Sequence, residues 1–320
     1  MYQERFPFKR ALIEAGIYFN EETSRFETTD EYRAGKIINS LSGPLSVILQ
    51  ITRRCNMKCL FCSENDYIRD TNYRDLVRIR ANLKGTPRIF LSGGEPAIRK
   101  DLPRIIDLFH DSFIIGLPTN ALIPNNLIPI IKKKIAFVNV GLDGPRNITK
   151  RLRGDYDLIM QGINKLVRAG INISLTAVVI RSTMSAMLYT CQIADAIGAL
   201  KLKMISPVPK GRALKIPRQE YLTKRDASNL YQQIRRAKKI YGWSPIITIT
   251  AWTPEVEGYS ILIHPNGKTY AWPVYDKNDK LEFLGNVIDE PISEIWRRYP
   301  FKLNNINKYL ELVPKNWTGG

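Results

Sequence analysis

A chain of 320 residues with 44% hydrophobic content can bury a sizeable core, which excludes a predominantly disordered protein. No run of eighteen apolar residues occurs and the N-terminus MYQERFPFKR has no apolar signal stretch, so a soluble, cytoplasmic protein with no transmembrane segment is expected. The formal charge of +18 suits either a solvated basic surface or an anionic partner such as nucleic acid or a phosphorylated metabolite.

Residues 1–43 read as a polar N-terminal arm with one short helix over Lys9–Ala15. From residue 44, short apolar runs alternate with amphipathic stretches, the pattern of strand–helix units around a parallel sheet. The predicted strands are Leu45–Ile51, Arg88–Leu91, Phe113–Leu117, Ala136–Leu142, Ile171–Ile180 and Leu202–Ile205. Between them, Leu102, Ile105, Ile106 and Phe109 recur at helical spacing, as do Ile159, Ile163, Leu166 and Val167. Six such units make an α/β fold, a partial (β/α)6 TIM-like barrel over residues 44–213. In such a barrel functional groups belong at the C-terminal ends of the strands. The Pro- and Lys-rich stretch Pro207–Pro217 marks the boundary to residues 214–320. There a helix is expected from the capping residue Thr223, with Asp226 three positions on, to Tyr241. Ser260–Ile263 and Thr269–Trp272 flank the hairpin-turn signal His264-Pro265-Asn266-Gly267. A last helix near Ser293 completes a small C-terminal α+β cap.

Of four cysteines, Cys55, Cys59 and Cys62 fall within eight residues, a poor disulfide framework and a good metal site. Cys191 reads as a small buried hydrophobe. A CxxxCxxC loop can hold three irons of a [4Fe–4S] cubane and leave the fourth open to a ligand. A structural zinc site would need a fourth ligand, and the only histidines, His110 and His264, lie far along the chain. Gly93-Gly94-Glu95-Pro96 follows the second strand, Thr119-Asn120 the third and Asp143-Gly144-Pro145 the fourth, all on one predicted rim. Paired glycines let a backbone approach a ligand closely, and the adjacent acid suits an ammonium group.

These motifs, with Phe61 before the last cysteine, Arg153-Gly154 and Pro209-Lys210-Gly211-Arg212-Ala213, resemble the radical S-adenosylmethionine (SAM) superfamily over residues 45–213. The resemblance implies one [4Fe–4S] cluster on Cys55, Cys59 and Cys62, with SAM on the open iron. It also implies a 5′-deoxyadenosyl radical that abstracts hydrogen from a substrate. Phe61 would lie near the adenine, and Gly93, Gly94, Glu95 and Pro96 at the methionine amino group. Thr119, Asn120, Asp143 and Arg153 would supply further SAM contacts. Ala121 stands where the family has glycine and Gly141 where it has serine, which shifts carboxylate binding toward Arg153.

The C-terminal region resembles the extension called SPASM or twitch, with Trp272 in the place of a cysteine. No cysteine follows residue 191, so cysteine-bound auxiliary clusters are excluded and redox-neutral chemistry gains weight. The branch resembled implies a peptide or protein side chain as substrate, and reduced ferredoxin or flavodoxin as electron donor. The alternatives are a small-molecule enzyme of cofactor, nucleotide or lipid biosynthesis, an RNA-modifying enzyme, and a non-catalytic iron–sulfur or nucleic-acid-binding module.

Overall fold

The computed structural model of the protein describes residues 17–20, 25–28, 43–64, 66–250, 260–275 and 281–299. In the N-terminal arm, β1 (Ile17–Asn20) and β2 (Arg25–Thr28) pair antiparallel as a separate small sheet, which the sequence reading does not anticipate. The helix expected over Lys9–Ala15 lies outside the described residues.

The six predicted barrel strands are present as β3 (Ser46–Thr52), β4 (Arg88–Gly93), β5 (Ile114–Thr119), β6 (Phe137–Gly141), β7 (Ile173–Val178) and β8 (Lys201–Ile205). Each is parallel to the one before it. The chain crosses over through α1 (Tyr73–Asn82), α2 (Leu102–His110), α3 (Ile128–Lys134), α4 (Arg146–Leu152), α5 (Tyr156–Arg168) and α6 (Met187–Ala196). Next comes α7 (Lys224–Tyr241), opened by the expected capping box of Thr223 and Asp226 and closed by Gly242 at φ 67°. It leads into β9 (Ile246–Thr250), a seventh parallel strand beside β8 that the sequence reading leaves out.

The C-terminal hairpin of β10 (Ser260–Ile263) and β11 (Lys268–Tyr275) is followed by β12 (Leu281–Asn286) and α8 (Ile292–Trp296). Its first strand pairs parallel with β3, so the predicted cap extends the barrel sheet at its other edge. The order β12-β11-β10-β3-β4-β5-β6-β7-β8-β9 runs from edge to edge without closing. Among the described residues no helix is long and apolar enough to cross a membrane.

The helices cover one face of this sheet. Leu49 and Ile51 of β3, Leu91 of β4, Val140 of β6, Leu175 of β7 and Met204 of β8 share a core with Leu76, Ile79, Phe109 and Ile163 from α1, α2 and α5. Alternate residues of a strand face opposite sides, so the residues between them line the concave face. The lower part of that face is filled by Phe90, Ile114 and Phe137, and a side chain at Gly116 would come within 2.7 Å of the Phe137 ring. Across β6, β7 and β8 the concave face is polar. Asn139, Ser174 and Lys201 share one register row, and Gly141, Thr176 and Lys203 the next.

Candidate active site

The three clustered cysteines sit on the loop that leaves β3, with Cys55 exposed and Cys59 and Cys62 half-buried. Backbone bonds from distant segments fix this loop. The Leu60 N–H donates to the Leu152 carbonyl at 2.7 Å, and the Arg212 N–H to the Cys62 carbonyl at 2.9 Å. The Arg212 Nε donates to the Cys59 carbonyl, also at 2.9 Å. Gly211, at φ 61°, lies under the same carbonyls, where a Cβ would come within 2.7 Å of the Cys62 oxygen. Burial pushes the Cys59 thiol up to about 11, against the pull of the Arg153 guanidinium, and also raises Cys55.

Gly93 and Gly94 bring β4 against the root of the same loop. A Cβ on Gly93, at φ 142°, would overlap the Thr52 carbonyl, and one on Gly94 would overlap the Arg54 carbonyl. The close approach that these glycines permit is thus between two protein backbones, sealed by Gly94 N–H to Thr52 O and Glu95 N–H to Arg54 O, both 2.9 Å. Pro96 then starts a short 3₁₀ turn, Pro96–Ile98, with Glu95 as its cap.

The Glu95 carboxylate is 1% exposed. It accepts from Ala97 N–H at 3.0 Å, Thr119 Oγ1 at 2.9 Å and Asn120 N–H at 2.7 Å, all neutral donors. Burial raises its pKa against those hydrogen bonds. The Asn120 Nδ2 reaches on to Asn56 Oδ1 on the cysteine loop at 2.7 Å, so three of the sequence motifs meet through one residue, by its backbone N–H and its side chain. Ala121, where the family resemblance leads one to expect glycine, adopts the left-handed conformation at φ 70°.

On the other side of the rim, Asp143 is fully buried and forms a bidentate pair with Arg153, 2.8 Å to Nε and 2.9 Å to Nη2. Its Oδ1 also accepts from Val178 N–H at 2.8 Å. The guanidinium carbon stands 4.9 Å from the centre of the Phe61 ring, a cation–π distance. Its Nη1 fills the space beside Gly141, where any side chain would overlap it. Gly141 and Arg153 are therefore complementary: the missing side chain of one makes room for the other.

Residues 49–194 match the Radical SAM superfamily model. The chain carries a radical SAM domain. Enzymes of that superfamily use a [4Fe–4S] cluster and SAM. A "Probable GTP 3′,8-cyclase" of Methanococcus vannielii is 27% identical over 212 residues, 60% of this chain and 71% of that one. One of the same name from Methanocaldococcus jannaschii is 34% identical over 145 residues, 41% of this chain and 47% of the relative. Among solved structures, SuiB of Streptococcus suis bound to precursor peptide SuiA superposes with a TM-score of 0.70 at 15% identity, covering 84% of this chain and 68% of SuiB.

The residues of the radical SAM domain fit the superfamily's cofactors. The three thiols are in no disulfide. Among the described residues no three His, Cys, Asp or Glu side chains converge on a point for a single ion, whereas a cubane takes each thiolate on a separate iron. Glu95 is close enough to Cys55 to raise that thiol's pKa, and Arg153 close enough to Cys59 to lower that one's. Several residues that build this site are absent from the sequence reading. Arg53 pairs with Glu64 at 2.5 Å, and its Nη2 lies 2.8 Å from His264 Nε2. Arg99, 5% exposed, donates to the carbonyls of Ile51 and Thr71, which tie off the two ends of the cysteine loop. Arg212 sits in a motif noted in the sequence, yet only the structure puts it under the cysteines.

Proposed function

We propose that Cys55, Cys59 and Cys62 hold one [4Fe–4S] cluster and that Gly93, Gly94, Glu95, Pro96, Thr119, Asn120, Asp143 and Arg153, with Phe61, form the cradle for SAM. Bound there, the reduced cluster and SAM would supply a 5′-deoxyadenosyl radical that takes a hydrogen atom from the substrate. Glu95, a buried carboxylate whose hydrogen bonds come only from neutral groups among those described, suits an ammonium group. Arg153, braced by Asp143 and Phe61, suits a carboxylate. The observation that carries this reading is the Asn120 bridge, which joins the Glu95 carboxylate to Asn56 inside the CxxxCxxC loop. A one-electron donor is required, for which reduced ferredoxin or flavodoxin is the proposed class.

For the substrate we infer a polar small molecule, with nucleotides the leading class, in preference to the peptide that the resemblance alone suggests. Two relatives carry the name of a GTP cyclase, whereas the peptide-bound neighbour shares only its fold at 15% identity. The concave face agrees, offering the polar residues Asn139, Ser174, Thr176, Lys201 and Lys203 along β6, β7 and β8. Anaerobic reconstitution and reduction, followed by chromatography for 5′-deoxyadenosine, tests the chemistry. None from a protein holding a reduced four-iron cluster would sink it. Stimulation by nucleoside triphosphates and not by peptides supports the substrate class, and the reverse pattern overturns it.

A further inference from the structure

The cysteine loop spans residues 53–71, and both its ends are bound by consecutive residues of the C-terminal hairpin. At the first end, Arg53 lies 2.8 Å from the Nε2 of His264. At the last, the Thr71 hydroxyl donates to the Pro265 carbonyl at 2.6 Å, in a buried contact. The hairpin is held in place for this by β10, which runs parallel to β3, the strand that feeds the loop. Its turn is stiffened by His264 N–H to Lys268 O and Gly267 N–H to His264 O, both 2.9 Å.

Arg53 is the centre of the arrangement. Its side chain is 2% exposed. It donates through Nε to Gln50 Oε1 at 3.0 Å and pairs through Nη1 with Glu64, which lies just beyond Cys62. A guanidinium can only donate, so His264 must accept at Nε2 and be neutral. The Tyr270 ring, 4.5 Å away between centroids, packs on the imidazole and fixes its plane. Burial, with Arg53, Lys210 and Lys268 nearby, keeps this histidine neutral well below the ordinary range.

We propose that the C-terminal hairpin is a latch on the cluster loop, with His264 as its positioning residue through Arg53 and Pro265 closing the far end through Thr71. The proposal rests on the reading of Cys55, Cys59 and Cys62 as cluster ligands and goes beyond it. A module with no cysteine of its own then governs how tightly the barrel's cluster is held.

The test compares wild type with His264→Ala, His264→Gln and Thr71→Val, each reconstituted anaerobically. Glutamine keeps an acceptor oxygen, alanine removes it, and valine removes only the bond to Pro265. The readouts are iron release to a chelator, the electron paramagnetic resonance signal of the reduced cluster, and hydrogen exchange of residues 53–64 before iron is added. The expected result is about tenfold faster iron release and a broadened signal in the alanine variant, with recovery toward wild type in the glutamine variant. The valine variant should show a smaller effect in the same direction and remain informative if the alanine variant fails to fold. Wild-type release rates and exchange in the alanine and valine variants would overturn the latch, as would glutamine that behaves like alanine. Wild-type protein that takes up no cluster would instead break the functional reading, while loop exchange would still decide the latch.

Discussion

On the β4–β5 side of the rim the buried charge, Glu95, is held by two backbone N–H groups and a threonine hydroxyl. On the β6–β7 side the buried charge, Arg153, is held by an opposite charge, Asp143. The two halves differ in where their compensation comes from. Glu95 is solvated by dipoles that the fold supplies and meets no opposite charge among its described hydrogen-bond partners, whereas Arg153 meets one in Asp143. Loss of a charge on the first half should therefore weaken ligand binding, and loss of one on the second should weaken the fold.

The largest expected effect comes from Asp143→Asn. It strands a guanidinium that is 11% exposed, a loss of about 3–5 kcal/mol for a broken buried pair. Glu95→Gln should cost less stability, about 1–3 kcal/mol, because its amide N–H₂ meets a backbone donor while a buried charge is removed. Calorimetric melting should order the variants this way, and SAM binding by isothermal titration should fail first for Glu95→Gln when both are compared well below their melting points. Equal stability losses would erase the distinction between the halves.

Gly141→Ser sharpens the same comparison from the Arg153 side. The new Cβ overlaps Nη1, so the guanidinium must leave its seat on Phe61 or the strand must shift, at about 1–3 kcal/mol for overpacking. The double variant Gly141→Ser with Arg153→Ala should lose less stability in denaturant melts than the two single variants summed, since the clash partner is gone. Full additivity would mean that the two positions are not complementary.

The third test uses pH. His264 is held neutral, its pKa pushed down from 6.5 to about 3 by burial and then by Arg53, Lys210 and Lys268. Below pH 6.5 the unfolded chain therefore binds a proton that the folded one refuses. Each pH unit between 6.5 and about 3 should remove about 1.4 kcal/mol through this residue. Urea midpoints measured from pH 7 to pH 4 should fall less steeply for His264→Gln than for wild type. Parallel profiles would show that the imidazole is not what makes this face acid-sensitive.

The two halves were unequally legible in the sequence, and the reason is distance along the chain. Gly93-Gly94-Glu95-Pro96 is contiguous, and the six β-branched strand runs announce where its rim lies. What contiguity conceals is the partner: the glycines read as room for a ligand but pack on residues 52–54. The fit of Arg153 beside Gly141 appears in sequence only as a missing serine. Arg53 and His264 stand 211 residues apart, and no local pattern relates them. The same holds for β10 joining β3, because a parallel pairing between distant strands leaves no turn signal. The strand β9 is hidden for a simpler reason, since the Pro- and Lys-rich stretch Pro207–Pro217 reads as the end of the barrel although α7 and β9 continue its strand–helix pattern.

The smallest expected effect tests whether the neutral half of the rim depends on a strained backbone. Ala121 holds φ 70°, a conformation that costs an L-residue about 1–2 kcal/mol and glycine almost nothing. Against the relief in Ala121→Gly stand about 0.4–1 kcal/mol of added freedom in the unfolded chain and about 0.8 kcal/mol for the loss of a buried methyl. That methyl is 1% exposed and packs where Gly162 passes, so the loss applies in full. The contributions nearly cancel, and the change in unfolding free energy should stay within about 0.5 kcal/mol of zero. SAM binding should also hold, because Asn120 N–H remains aimed at Glu95 by the Thr119 and Asn56 contacts on either side of it. A gain of two kcal/mol or more would mean that alanine is tolerated here under strain, and that the dipoles around Glu95 are held less firmly than the Asp143–Arg153 pair opposite.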